Sequence, residues 1–172
     1  LRLLYCYPDG ITDELLDTMS KYGNIARYLD IPIQHLADPV LRRMNRKNTH
    51  RSTYEAVERI RKRYPDFILR TTLIAGFPGE TQEDFEILKR GVEELQFDRL
   101  GVFAYSREDG TPAARLPGQI PEQVKQARAR ELMLLQQGIS LRANKKRIGQ
   151  RLEVLVEEYL PEEKVYLARS YG

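Results

Sequence analysis

The sequence predicts an α/β fold organised around a parallel sheet, and three observations predict it. Short apolar runs alternate with amphipathic stretches of helical period, giving strand then helix three times over and then a fourth strand. The strongest of these runs, Phe67 to Ala75, carries no charge beyond Arg70, as expected of a strand covered on both faces. Four parallel strands joined by right-handed crossovers are too few to close a barrel, which takes about eight, so the sheet reads as part of a barrel-like wall.

Arg2 to Cys6 is a short apolar, aromatic-containing run and reads as the first strand, stopped by Pro8-Asp9-Gly10. Thr12 is an N-cap, and Asp13 and Glu14 suit the positive end of a helix that runs to about Lys21 and is ended by Gly23. Tyr28 to Ile33 is the second strand, and Pro32 inside it indicates that the ladder is already ending. Asp38-Pro39 supplies a cap and a proline at the first helical position, opening a short helix through Met44. Ser52 to Glu55 has capping-box spacing, with Tyr54, Val57, Ile60 and Tyr64 following at helical intervals before Pro65-Asp66 breaks the pattern. Beyond Phe67 to Ala75 comes a turn, Gly76 to Gly79. Thr81 then caps a helix whose Phe85, Leu88, Val92 and Leu95 form one stripe. Phe97 to Tyr105 is the fourth strand, and Arg107 to Gly118 is a loop rich in Gly and Pro. Pro121 opens a long polar helix to about Arg147, with Leu132, Leu135 and Ile139 on one face and Gly149 at its end. Leu152 to Val156 and Val165 to Ala168 alternate as two terminal strands, joined by a polar turn holding Pro161.

Of the 172 residues, 41% are hydrophobic and 31% charged, which excludes the disordered class. No run approaches the roughly 18–20 apolar residues of a membrane-spanning helix, and the N-terminus has no signal-peptide pattern. The first residue is Leu1 rather than methionine, so the chain reads as an internal piece of a longer product. The single cysteine, Cys6, cannot form an internal disulfide, which points to the cytoplasm, and it cannot hold a metal cluster alone. Net charge is only +3, yet Leu41 to Tyr64 holds nine Lys/Arg against two Glu and Glu122 to Arg151 holds eight against two. Such segments suit RNA or ribosome contact, or else are solvated helix faces; the sequence leaves both open.

In parallel sheets ligands bind outside the carboxyl ends of the strands. Those ends carry Tyr7-Pro8-Asp9, Gln34-His35, Gly76 to Thr81, and Tyr105-Ser106, and all four sets should open on one edge. Gln34 has an acceptor and two donors, and His35 can hydrogen-bond or transfer a proton; the alternative is that both cap the following loop. Gly76 to Thr81 lacks the Gly-Lys-Ser/Thr ending of a phosphate loop, and Glu80 would repel a phosphate, so a flat uncharged group fits better. The alternative there is an ordinary strand-to-helix turn in which Glu80 serves the helix start. No catalytic triad or zinc-ligand cluster is readable.

Several strings nevertheless resemble one family. Tyr28 to His35 (YLDIPIQH), Leu41 to Arg46 (LRRMNR) and Arg70 to Thr81 (RTTLIAGFPGET) are similar to the methylthiotransferases, which are radical S-adenosylmethionine enzymes. Phe97 to Ser106, Val124 to Arg128 and Leu135 to Ser140 resemble the RimO-like branch that modifies a ribosomal protein. The branch acting on tRNA adenosine typically shows a Gln-Ser-Gly-Ser pattern where this chain has Gln34 to Ala37. The resemblance implies the C-terminal half of a radical-SAM partial (β/α) barrel over residues 1–119, a helical connection over 120–149, and the first strands of a TRAM β-domain over 150–172. It also implies a reduced 4Fe-4S cluster that cleaves S-adenosylmethionine, and a 5′-deoxyadenosyl radical that takes hydrogen from the β-carbon of an aspartate in the twelfth small-subunit ribosomal protein. RNA contact would run through the basic helices and the TRAM domain.

The departure from the family is the cluster loop, since three closely spaced cysteines are absent and an iron–sulfur cluster needs about three or four thiolates. On this reading the chain alone binds no cluster, holds no catalytic residue and is inactive. The cofactor-binding candidates that the resemblance and the strand ends together suggest are Gln34 and His35 near the ribose, and Gly76 with Ile74 near the adenine. Phe103 and Tyr105 would form the pocket wall, and Arg70 would pair with the cofactor carboxylate or with a neighbouring acid. The competing readings are the tRNA-modifying branch and a non-catalytic RNA- or ribosome-binding module.

Overall fold

The computed structural model describes residues 1–170. Its centre is a parallel sheet of three strands, β1 (Tyr28–Asp30), β2 (Ile68–Ala75) and β3 (Arg99–Ala104), in the order β1-β2-β3. The register aligns Asp30 with Arg70, and Arg70 with Arg99, so equivalent positions form rows across the sheet. Before β1 comes α1 (Asp13–Lys21); α2 (Asp38–Arg43) and α3 (His50–Arg63) join β1 to β2, α4 (Gln82–Leu95) joins β2 to β3, and α5 (Glu122–Lys145) follows β3. The parallel α/β order is the one the sequence predicts.

The helices supply one apolar face each. Val57 and Ile60 of α3, Phe85, Leu88 and Val92 of α4, and Leu132 and Ile139 of α5 meet Leu29, Leu69, Leu73, Ala75 and Leu100 of the sheet in a single core. That layer covers one side of the sheet. Along β2, Leu69, Thr71, Leu73 and Ala75 are buried whereas Arg70, Thr72 and Ile74 are partly exposed, and Phe103 beside Ile74 is 62% exposed. The expectation of a strand covered on both faces is therefore corrected. The apolar run alternates in burial because its second face is an open inner wall.

Three local expectations are also corrected. Arg2 to Cys6 is not a full strand: Leu3 makes a single bridge to Leu29, and Tyr5 adopts a left-handed backbone (φ 59°) that breaks the ladder. The cap of α3 lies three residues earlier than Ser52, at Thr49, whose hydroxyl accepts from Ser52 N (3.1 Å) while Ser52 Oγ accepts from Thr49 N (2.9 Å). Ala37, not Asp38, holds the cap position of α2, because the Asp38 carboxylate instead accepts from His50 N (2.7 Å) and ties α2 to α3. Thr12 and Thr81 cap as predicted. Pro32 does end β1 early, and the chain rejoins the sheet only at Gln34, which donates to Thr72 O (3.0 Å) and accepts from Ile74 N (2.9 Å).

The terminal strands pair as an antiparallel hairpin, β4 (Val154–Leu160) with β5 (Val165–Ser170). Leu155, Val156, Tyr166 and Leu167 of this hairpin are exposed. Residues 171 and 172, the end of the β-domain expected over 150–172, lie outside the described residues. Among the described residues no helix is long and apolar enough to cross a membrane.

Gly91 marks the tightest helix–loop contact, since a Cβ there would stand 2.0 Å from Leu36 Cδ1 and 3.2 Å from Tyr54 Oη. Overpacking of this kind costs about 1–3 kcal/mol. Gly91→Ala is expected to lower the urea midpoint accordingly with the m-value unchanged, whereas the same substitution at Gly101, where a Cβ meets nothing within 4 Å, should not.

Candidate functional site

The three strands end along one edge. Tyr105 N donates to Ala75 O (2.9 Å), carrying the β2–β3 ladder one residue past Ala104, so Gly76 and Tyr105 lie side by side. Gln34 bridges to Leu73 on the other flank of β2. Gln34, Gly76 and Tyr105 therefore share the carboxyl edge that the sequence assigns them.

Gln34 is held in the left-handed region (φ 65°), a conformation that disfavours side chains other than glycine and concentrates at ligand clamps. Its backbone is fully bonded to β2, and its Oε1 is buried with no partner. Leaving a buried acceptor unmet is costly, so this atom marks a place where a ligand donor would be stabilising. Tyr105 presents a second such atom. Its ring is buried edge-on against Phe77 (5.1 Å, 72°), and its hydroxyl has no partner.

His35 behaves differently. It is fully buried, and Nδ1 accepts from Ala37 N (2.9 Å), which places the ring hydrogen on Nε2. Nε2 stands 3.3 Å from Glu80 Oε2 but off the hydrogen-bonding line. His35 thus braces the loop after β1.

The centre of the edge is a buried charge network. Glu80, 4% exposed, accepts from Gly76 N through Oε2 (2.8 Å) and from Arg128 Nη1 through Oε1 (2.7 Å). Arg128 also donates to the Glu80 carbonyl (3.2 Å) and to Gln82 Oε1 (3.3 Å). One turn earlier on α5, Lys125 donates to Tyr105 O (2.8 Å) and pairs with Glu122 (2.5 Å), which holds the Glu122 carboxyl below its ordinary range. Gly76 (φ +76°) packs directly on this lysine, since a Cβ would meet Lys125 Cγ at 2.3 Å. Gly79 (φ +78°) packs likewise on the Arg43 guanidinium, which donates to Gly79 O (2.7 Å). The Gly76–Thr81 turn is therefore gripped by side chains of α2 and α5.

The structure divides the sequence-predicted residues into two groups. Arg70, Ile74 and Phe103 lie on the open face of the sheet, with Ile74 and Phe103 in register and Arg70 bonded to Asp30 (2.7 Å). Gln34, His35, Gly76 and Tyr105 lie at the carboxyl edge. Tyr105 is buried in a small cluster with Ala37, Val40 and Phe77, against which Ile74, Ala113 and Leu116 pack, whereas Phe103 beside Ile74 is exposed. Sequence reasoning missed Lys125 and Arg128 and gave Glu80 only a helix-start role. A signal existed: Lys125, Arg128, Leu132, Gln136 and Ile139 fall on one helical stripe, and all five are buried.

Cys6 is partly buried beside Asp30, and burial first, then the Asp30 charge, pushes its thiol above the ordinary range. Among the described residues no group of three or more His, Cys, Asp or Glu is placed to hold a metal ion.

Against known proteins, the radical SAM superfamily profile matches residues 2–90. The chain is 52% identical over 167 residues to a protein named ribosomal protein uS12 methylthiotransferase RimO from Geobacter sulfurreducens, covering 97% of this chain and 37% of that protein. A protein of the same name from Clostridioides difficile is 51% identical over 100% of this chain and 38% of its own length. The chain thus spans under two-fifths of these curated relatives. Among solved structures, the radical SAM coproporphyrinogen III oxidase HemN of Escherichia coli superposes with a TM-score of 0.66 at 24% identity, over 80% of this chain and 32% of its own. An archaeal Elp3 from Methanocaldococcus infernus superposes with a TM-score of 0.55 at 14% identity, over 81% and 32%. Both likenesses concern the fold alone.

Removing one partner of the buried pair should be severe. Arg128→Met leaves the Glu80 carboxylate desolvated and is expected to cost about 3–5 kcal/mol in urea unfolding, while the double variant Arg128→Met with Glu80→Leu recovers part of that loss. Cys6 gives a chemical test. Because the folded thiol ionises at higher pH than the unfolded one, its iodoacetamide reaction in the native chain should inflect at higher pH than in the urea-denatured chain.

Proposed function

The chain belongs to the radical SAM superfamily, and on that premise we propose that it forms the later half of the barrel of an enzyme that methylthiolates an aspartate β-carbon of ribosomal protein uS12. The observation that carries this reading is the identity of about half the residues, along 97% and 100% of the chain, to two proteins bearing that name. In the proposed division, residues 1–119 are the barrel part, 120–149 the helical connection and 150–172 the start of a TRAM domain, in a cytoplasmic protein.

S-adenosylmethionine, bound with a reduced 4Fe-4S cluster, supplies the oxidising power needed against an unactivated C–H bond. The residues of this chain have the simpler task of binding and excluding water. Gln34 Oε1 and Tyr105 Oη, two of the three buried polar atoms at the strand ends that lack a partner, with His35 Nε2 the third, would meet the donors and acceptors of the nucleoside. Gly76 and Ile74 would line the adenine, Phe103 would wall the open side, and His35 would hold Gln34 in place through the loop it braces. Arg70 is committed to Asp30, and on this reading it orders the inner wall. The cluster does not fit this chain, which has one cysteine for a group needing about three or four thiolates.

A second reading, RNA contact, draws on a contrast between the two basic segments. Arg51, Arg59, Arg61 and Arg63 of α3 are ion-paired within the chain and Lys62, Arg42 and Lys47 of that basic segment are not, whereas Arg142, Lys145, Lys146 and Arg147, four cations within six residues at the end of α5, pair with no carboxylate among the described residues. Phosphate contact would therefore use the end of α5.

Three measurements test the first reading. The complete enzyme, assayed against uS12 and against tRNA, should add a methylthio group to the protein alone; modification of tRNA adenosine would select the sister branch. Gln34→Ala in the complete enzyme should weaken S-adenosylmethionine binding by roughly 5- to 10-fold, as expected for loss of one buried hydrogen bond. Anaerobic reconstitution of this chain with iron and sulfide should leave iron far below stoichiometric; a stable charge-transfer absorbance would overturn the assignment of the cluster to residues outside it.

A further inference from the structure

One lysine links the two strand ends on which the proposed cofactor site is built. Lys125 reaches the sheet edge from the first turns of α5 and is buried there. Its stem lies on Gly76, where an added Cβ would stand 2.3 Å from the lysine Cγ and 2.9 Å from its Cβ. Its ammonium donates to the carbonyl of Tyr105 (2.8 Å) and stands 5.6 Å from the centre of the Tyr105 ring. The stem therefore touches the end of β2, and the head touches the end of β3.

The contact to Tyr105 falls where the sheet stops holding that residue. Tyr105 N makes the last β2–β3 bond, to Ala75 O (2.9 Å), and its carbonyl lies beyond the ladder. Ser106, next in the chain, is exposed, and its hydroxyl bonds to Glu108 within the loop (2.7 Å). Tyr105 is thus fixed at its amide by β2, at its carbonyl by Lys125 and at its ring by Phe77 (5.1 Å). Its hydroxyl is buried and has no partner. Fold stability alone does not call for an ammonium at this position. Burying a charge is costly, and an apolar side chain of equal length packs on Gly76 without that cost. What the charged head adds is the donor to the Tyr105 carbonyl, compensated by Glu122 at the exposed side (2.5 Å). Arg128 differs, because its loss strands the buried Glu80 carboxylate.

We propose that Lys125 is a positioning residue for the cofactor, setting where the Tyr105 hydroxyl stands relative to Gly76 while itself touching neither the nucleoside nor the reacting atoms. Only the identity of the ligand, S-adenosylmethionine, rests on the proposed function; the choice between uS12 and tRNA as substrate does not enter. The effect runs through Tyr105 and not through Gln34, which is bonded to Thr72 and Ile74 on the opposite flank of β2.

The test is a mutant cycle on S-adenosylmethionine affinity, measured with the complete, cluster-loaded enzyme in the absence of reductant. Lys125→Met keeps the stem and removes the donor, and should weaken binding by about 5- to 10-fold, the scale of one buried hydrogen bond. Tyr105→Phe should cost a similar factor in the wild type. In the Lys125→Met background it should cost less than about 2-fold, because the displaced hydroxyl no longer reaches the ligand. Gln34→Ala should cost the same factor in both backgrounds, and Lys125→Arg, which keeps a charged donor, should recover most of the affinity. A general loosening of the edge would blunt both contacts alike, so equal coupling of Lys125 to Tyr105 and to Gln34 overturns the proposal. Unchanged affinity in Lys125→Met overturns it as well. If urea unfolding shows that Lys125→Met does not fold, Lys125→Gln, whose amide falls a bond short of the carbonyl, takes its place in the cycle with the same expected result. A wild type that fails to bind S-adenosylmethionine overturns this proposal and the proposed function together. A wild type that modifies tRNA instead of uS12, with the cycle as expected, supports the role of Lys125 and removes only the proposed substrate.

Discussion

The carboxyl edge of the sheet depends on one buried ion pair. Glu80 follows the strand that runs deepest through the core, and its carboxylate is met from two sides, by the amide of Gly76 and by the guanidinium of Arg128. Taking a carboxylate and a guanidinium out of water is costly, and the pair is tolerated because the lone pairs are met by further hydrogen bonds. The consequence is geometric. A turn with two left-handed glycines would otherwise be loose, and here it is fixed to a helix more than forty residues further along the chain. Lys125 repeats the arrangement one turn away, packing its stem on Gly76 and donating to the carbonyl of Tyr105. The ends of β2 and β3 are therefore both bonded to one helix.

That rigidity gives the edge its chemical meaning. Gln34 is held in a strained backbone conformation by its bonds to β2, and its side-chain oxygen is buried without a partner. A fixed, unmet acceptor is a pre-organised contact, since a ligand donor arriving there need not order the loop first. Tyr105 offers the same at the end of β3, under the loop that closes over Phe77.

Much of this was legible in the sequence. The strand and helix order, the caps at Thr12 and Thr81, the interruption at Pro32 and the common edge of Gln34, Gly76 and Tyr105 all follow from local rules of capping, periodicity and the side of a parallel sheet on which strands end. Other features were not, and each failure is physical. Capping-box spacing at Ser52 competed with an equally good box at Thr49, and packing of α3 against α2 chose the earlier one. Phe103 and Tyr105, expected from the resemblance and the strand ends as one pocket wall, differ in burial, since Tyr105 packs in a cluster with Phe77 while Phe103 is exposed.

What the sequence by itself determined is therefore the parallel α/β framework, because alternation of apolar runs, caps and breakers acts within a few residues and is written locally. Only the tertiary structure decided where the charges of α5 go. Lys125 and Arg128 look like the solvated face of a polar helix, and they are buried because the two groups that receive them, the carbonyl of Tyr105 and the carboxylate of Glu80, lie twenty and forty-eight residues away. Burying a charge is favourable only when its partner is already in place, and that condition is met in space, not along the chain.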